Sequence, residues 1–72
     1  MFTVYQVKRM IRNADGQIIN TNTVDYYSCK LEAVKFLKAL NCECLFYDPD
    51  FEFWISKESG NVCYWIEPIA VN

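Results

Sequence analysis

Four cysteines, nine carboxylates and twelve aromatic rings are the groups of this 72-residue chain with chemistry to offer, and no histidine stands among them. Without His, neither a Ser-His-Asp nor a Cys-His nucleophile can be assembled within the chain. The closest acidic pair, Asp48 and Asp50, flanks Pro49. That reads as a water-exposed turn, with no burial to tune either carboxyl for general acid work. Two glycines in all leave no phosphate-cradling loop or dinucleotide fingerprint, and no calcium-loop pattern is present. A domain of this size also leaves little room for a ligand pocket of ~300 Å³. The expectation is a chain that is not an enzyme, with no catalytic residues and no cofactor.

Cys29, Cys42, Cys44 and Cys63 are an even set, which in a secreted chain would imply two bridges. The opening Met1-Phe2-Thr3-Val4-Tyr5 lacks the basic segment and apolar core of a signal peptide, so reduced thiols in a cytoplasm are expected. The spacing also fits zinc poorly. Cys42-x-Cys44 is not a CxxC knuckle, and the other two cysteines stand 13 and 19 residues away. Small core residues, not metal ligands, are the expected role. No apolar run approaches the ~20 residues needed to cross a bilayer, so no membrane partner is expected.

The remaining candidates act by contact. A composition that is 53% apolar and 17% aromatic excludes a disordered tail and has rings to spare for a surface. The net charge of −2 hides a split. Residues 1–41 carry six Lys/Arg against three acids, and residues 42–72 carry one Lys against six acids. Such a bipolar surface orients an incoming partner.

One domain, residues 1–72, must position these groups. Val4, Tyr5, Val7, Met10 and Ile11 favour a first strand, Asn13-Ala14-Asp15-Gly16 a turn, and Ile18, Ile19, Thr21, Thr23 and Val24 a return strand. The period then becomes helical. Leu31, Val34, Leu37 and Leu40, with Ala33 and Phe36, predict a helix over 29–40. Ser28 is its expected cap, Asn41 its terminator, and Lys30, Glu32, Lys35 and Lys38 its solvated side. Three strands follow, over 43–47, 51–56 and 61–67, with turns at 48–50 and 57–60. The fold expected is α+β (ββαβββ), a five-stranded antiparallel sheet with one helix packed on one face.

Register assigns the surfaces. A four-residue loop at 57–60 pairs Ile55 with Val62, Phe53 with Tyr64 and Phe51 with Ile66, an apolar face for the helix. Glu52, Trp54, Cys63, Trp65 and Glu67 then point away from it. The first hairpin buries Tyr5, Val7, Ile11, Ile18 and Val24 and turns Lys8 and Arg12 outward. Two contact surfaces result. One is a Trp54–Trp65 patch with an acidic rim, of the kind that anchors protein partners. The other is a basic side built from Lys8, Arg12, Lys30, Lys35 and Lys38.

The Val4-Tyr5-Gln6-Val7-Lys8 opening strand, the helix around Leu31-Glu32-Ala33 and the ending Phe53-Trp54-Ile55-Ser56-Lys57-Glu58-Ser59-Gly60-Asn61 with Trp65 give a pattern. In that order it resembles the small phage-encoded anti-CRISPR proteins, nearest to a type I-F member with one helix on a five-stranded sheet. The resemblance implies a stoichiometric inhibitor that binds a CRISPR effector complex in the host cytoplasm and blocks target DNA. Its contacts would be surface lysines and aromatics. Besides a metal or redox module built on the four cysteines, two other roles fit the residues. One is a nucleic-acid accessory protein touching phosphates without sequence reading through the basic side. The other is a small module that self-associates through exposed sheet edges and Trp, the chain being a monomer or a homodimer.

Overall fold

In the computed structural model, which describes residues 2–48 and 51–72, the chain runs β1 (Phe2–Arg12), β2 (Ile18–Tyr27), α1 (Lys30–Ala39), β3 (Cys42–Asp48), β4 (Phe51–Ser56) and β5 (Val62–Val71). The five strands form one antiparallel sheet in the order β2-β1-β5-β4-β3, with one helix. This is the expected ββαβββ arrangement. The expected turn at 48–50 lies in part outside the described residues.

The first hairpin closes as its composition dictates. Gly16 adopts φ 83°, and the Asn13 side-chain oxygen accepts from the Asp15 and Gln17 amides at 2.9 and 3.0 Å. Arg12 ties this tip to the β4–β5 loop through its amide to the Asn61 carbonyl (2.8 Å) and its Nη2 to the Gly60 carbonyl (2.9 Å). Ten- and eleven-residue strands of this kind extend well past a ten-residue helix. The molecule is accordingly elongated, 41 × 21 × 19 Å.

The helix links the two edge strands, leaving β2 and entering β3, and so crosses the sheet on one face. Asn41 ends it at φ 60°, as its side chain permits. Ser28 does not cap it. Cys29 occupies the cap position without a side-chain bond, and its carbonyl accepts from Glu32 (3.1 Å). The buried stripe is Ala33 and Leu37, with Val34 and Phe36 packed beside it. Leu31 and Leu40, expected in that stripe, are 59% and 40% exposed, so the helix is rotated from the expected phase. Lys30 precedes Ala33 and Leu37 by three and seven residues, which brings it onto the sheet side.

Beneath α1 lie Val7, Ile66, Tyr64, Trp54 and Cys42. Two expectations for the hairpin fail here. Ile18 is 60% exposed and Val24 37%, because β2 is an edge strand exposed on both faces up to Tyr26, with extra residues at Ile19 and Val24 bulging it as well.

Candidate functional site

The decisive geometry is the register of β4 on β5. Trp54 pairs with Tyr64, Phe53 with Trp65, Glu52 with Ile66 and Ile55 with Cys63, one residue away from the sequence expectation. Residues 57–61 form the connection, five rather than four, and a slip of one turns every side chain of a strand to the other face. Trp54 therefore lies under the helix, 4% exposed, and is not part of an open Trp patch. The two indoles occupy opposite faces.

Glu52 turns inward with Trp54. It is 4% exposed, accepts from Lys30 Nζ at 2.6 Å and from Trp54 Nε1 at 3.3 Å. A carboxylate at this depth requires such partners. Lys30, expected on the solvated helix side, is thus a structural cation whose stem follows the buried stripe.

The reverse face is uncrossed by any described element. Across its middle run Phe53, Trp65, Lys8 and Thr23, each cross-strand from the next. Ile55, Cys63, Met10 and Thr21 form the adjoining row, with Cys63 fully buried among them. On the other side Glu67 pairs with Gln6, whose amide donates to Thr23 Oγ1 (3.2 Å) and Tyr26 Oη (3.1 Å). Phe53, Ile55, Met10, Trp65 and Lys8 are each half-buried by their neighbours. The surface is thus a packed apolar sheet with Trp65 near its centre and Lys8 and Glu67 beside it.

The seven expected contact residues separate accordingly. Lys8 and Trp65 meet on the reverse face. Arg12 lies at the end of the same strand, but it is half-buried, committed to Gly60, and its Nε is enclosed without a hydrogen-bond partner. Lys30 and Trp54 converge on Glu52 across the sheet. Lys35 and Lys38 remain exposed on the helix. Because β1 sits between β2 and β5, Lys8 lies diagonally across from Glu67 on the reverse face, while Arg9 pairs with Tyr64 on the helix face.

A second concavity, not foreseen for so small a chain, opens between α1 and the β3–β4 pair. Its volume is about 680 Å³, and Val34, Lys38, Cys42, Trp54 and Lys57 are among its lining residues. Cys42 and Cys63 are buried, Cys29 and Cys44 exposed, and none forms a disulfide. Burial pushes the Cys42 thiol up from its ordinary value, with help from the nearby Cys63 and Glu58 charges. Tyr27 is raised as well, first by burial and then by Asp25, which accepts its hydroxyl. Among the described residues no three Cys, Asp or Glu side chains converge as a metal site, and no helix is long and apolar enough to cross a membrane.

Both sheet edges are blunted. β2 carries two bulges that break its ladder into the short stretches Asn20 to Thr23 and Asp25 to Tyr27, and β3 carries one at Leu45, two residues beyond exposed Glu43.

No family model, no curated protein and no solved structure matches the chain.

Proposed function

We propose that this chain is a non-catalytic protein-binding domain, an inhibitor from a phage or mobile element that occupies a host defence complex stoichiometrically. The observation carrying the reading is Trp65, half-buried on the uncovered sheet face between Lys8 and Phe53. A Trp already ordered by its neighbours loses little rotamer freedom on docking, and Trp is the commonest kind of interface anchor. The strand-order resemblance nominates a CRISPR effector complex in the host cytoplasm as the partner. Phosphate binding is less well served. Lys8 shares its face with Glu67, Arg12 and Lys30 are committed to contacts within the chain, and Lys35 and Lys38 lie on the helix, so few cations face any one backbone. Self-association through a strand edge is opposed by the bulges in β2 and β3.

The test uses a purified type I-F effector complex and labelled target DNA. Pre-incubation with the chain is expected to abolish DNA binding at about one chain per complex. Trp65→Ala and Lys8→Glu are expected to restore it with unchanged circular dichroism, while Lys35→Glu, on the helix side, leaves inhibition intact. DNA binding that survives a large excess of the chain refutes this partner. Inhibition retained by both sheet-face variants refutes the face.

A further inference from the structure

We infer that the groove between α1 and the β3–β4 pair is a binding site for a small carboxylate with an apolar tail, independent of the sheet face carrying the proposed partner contact. Its wall is apolar where Val34, Cys42 and the Trp54 indole meet. The acid in that wall, Glu52, is already compensated by Lys30 at 2.6 Å and by Trp54 Nε1 at 3.3 Å, so it does not oppose an incoming anion. Glu43 contributes to the lining, but its pairing with Ile55 directs its side chain to the reverse face.

The helix end would repel an anion if its last carbonyls were open. Those of Leu37 and Lys38 are taken instead. The Leu40 amide donates to the Phe36 and Leu37 carbonyls, the Asn41 amide to Lys38, and the Lys57 amide to the Asn41 carbonyl at 3.0 Å. The cations lining the groove are Lys38 and Lys57, both exposed and neither in an ion pair among the described residues, with the exposed Glu58 near Cys42 the one further acid close by. Two cations over an apolar wall match one anionic head on a hydrocarbon body. A volume of about 680 Å³ accommodates a chain of medium length, and the Leu45 bulge in β3 disfavours an added peptide strand as the occupant.

The test reads Trp54 directly. Trp65→Phe leaves Trp54 as the sole indole, and 11-bromoundecanoate, whose bromine quenches an indole only near contact, is titrated below its micelle concentration. Saturable quenching is expected, at least tenfold weaker for 11-bromoundecan-1-ol, and weakened at least tenfold for the acid by Lys38→Glu with Lys57→Glu. Trp54→Phe, in which only Trp65 reports, is expected to show no saturable quenching. Calorimetry of the unaltered chain with the same acid and alcohol supplies a comparison that needs no variant. Absent saturation, equal affinity for acid and alcohol, or an affinity indifferent to the two lysines overturns the proposal. Because the readout is Trp54 and partner binding is read at Trp65, failure of either leaves the other standing.

Discussion

Removing the charge of Lys30 isolates the interaction that the helix phase and the β4 register create together. The Glu52 side chain is 5% exposed and that of Lys30 29%, so the pair is buried at one end and wet at the other. Breaking a fully buried pair by deleting one partner costs about 3–5 kcal/mol, and an exposed pair contributes roughly 0–1 kcal/mol. Lys30→Met keeps the aliphatic stem and removes the ammonium, while Trp54 Nε1 still donates to the carboxylate at 3.3 Å. The expected loss is therefore about 2–3 kcal/mol, nearer the buried limit because the stranded group is the buried one. That is a large part of the roughly 4–11 kcal/mol available to a domain of this length. Glu52→Gln keeps the volume and an oxygen for the indole while removing the charge that Lys30 neutralises, for a loss of about 1 kcal/mol. The double variant strands no charge, so its loss should fall short of the sum by about 1 kcal/mol or more. Urea unfolding of all four chains, with slopes checked for constancy, measures the cycle. A loss under about 0.5 kcal/mol for Lys30→Met, or strict additivity, would refute the claim that Lys30 neutralises a desolvated carboxylate.

Leu37 is fully buried under the helix, so Leu37→Ala should cost about 2–5 kcal/mol in urea, whereas exposed Lys35→Glu should stay within about 0.5 kcal/mol. Of the four thiols, Cys29 and Cys44 should react with DTNB in a fast phase and Cys42 and Cys63 only on unfolding; four fast equivalents would contradict the burial. Cys42 is raised above its ordinary 9.0, so the unfolded chain ionises first; its contribution is complete below that pH and lost as pH climbs through the folded value. The urea midpoint should fall in that window, and Cys42→Ala should flatten the fall. Deleting Ser59 shortens the 57–61 connection to four residues; in a Trp65→Phe background Trp54 emission should stay blue while stability drops, and a red-shifted yet folded chain would show that the loop sets the register.

The elements were legible because local signals agreed with one another. Asn13 to Gly16 announced a turn that the Asn13 side chain and the Gly16 conformation carry out, and Asn41 closed the helix as its side chain allows. Leu37 and Ala33 fell in the core. The surfaces were less legible. Four leucines and valines at helical spacing define a stripe too wide to fix its centre, and the centre moved toward Lys30, leaving Leu31 and Leu40 exposed. Nothing local marks Ile19 and Val24 as bulged, since both are ordinary strand formers; their extra length is absorbed only when β2 is laid against β1. The groove likewise had no signature, because its lining comes from α1, β3, β4 and the loop after it.

The competition that decided the faces was between turn composition and burial. Lys57-Glu58-Ser59-Gly60 fits a four-residue turn, and that turn would place Phe53 and Ile55 under the helix and expose Trp54 with Glu52. The chain adopts the alternative, which puts the larger indole of Trp54 under the helix in place of the Phe53 ring, at the cost of one more ordered loop residue, about 1–2 kcal/mol, and of desolvating Glu52. Lys30 offsets that last cost, since helix phase and strand register bring the two to 2.6 Å. The same choice sets the functional surface. With Trp54 inside, Phe53 and Ile55 must face out beside Trp65, so the uncovered sheet is apolar because the core took the other half of β4. Scaffold and contact face are thus one decision in this chain, and a substitution that weakens the Lys30–Glu52–Trp54 set should disturb binding at Trp65 through Phe53, which stands between Glu52 and Trp54 in β4 and pairs with Trp65 across the ladder.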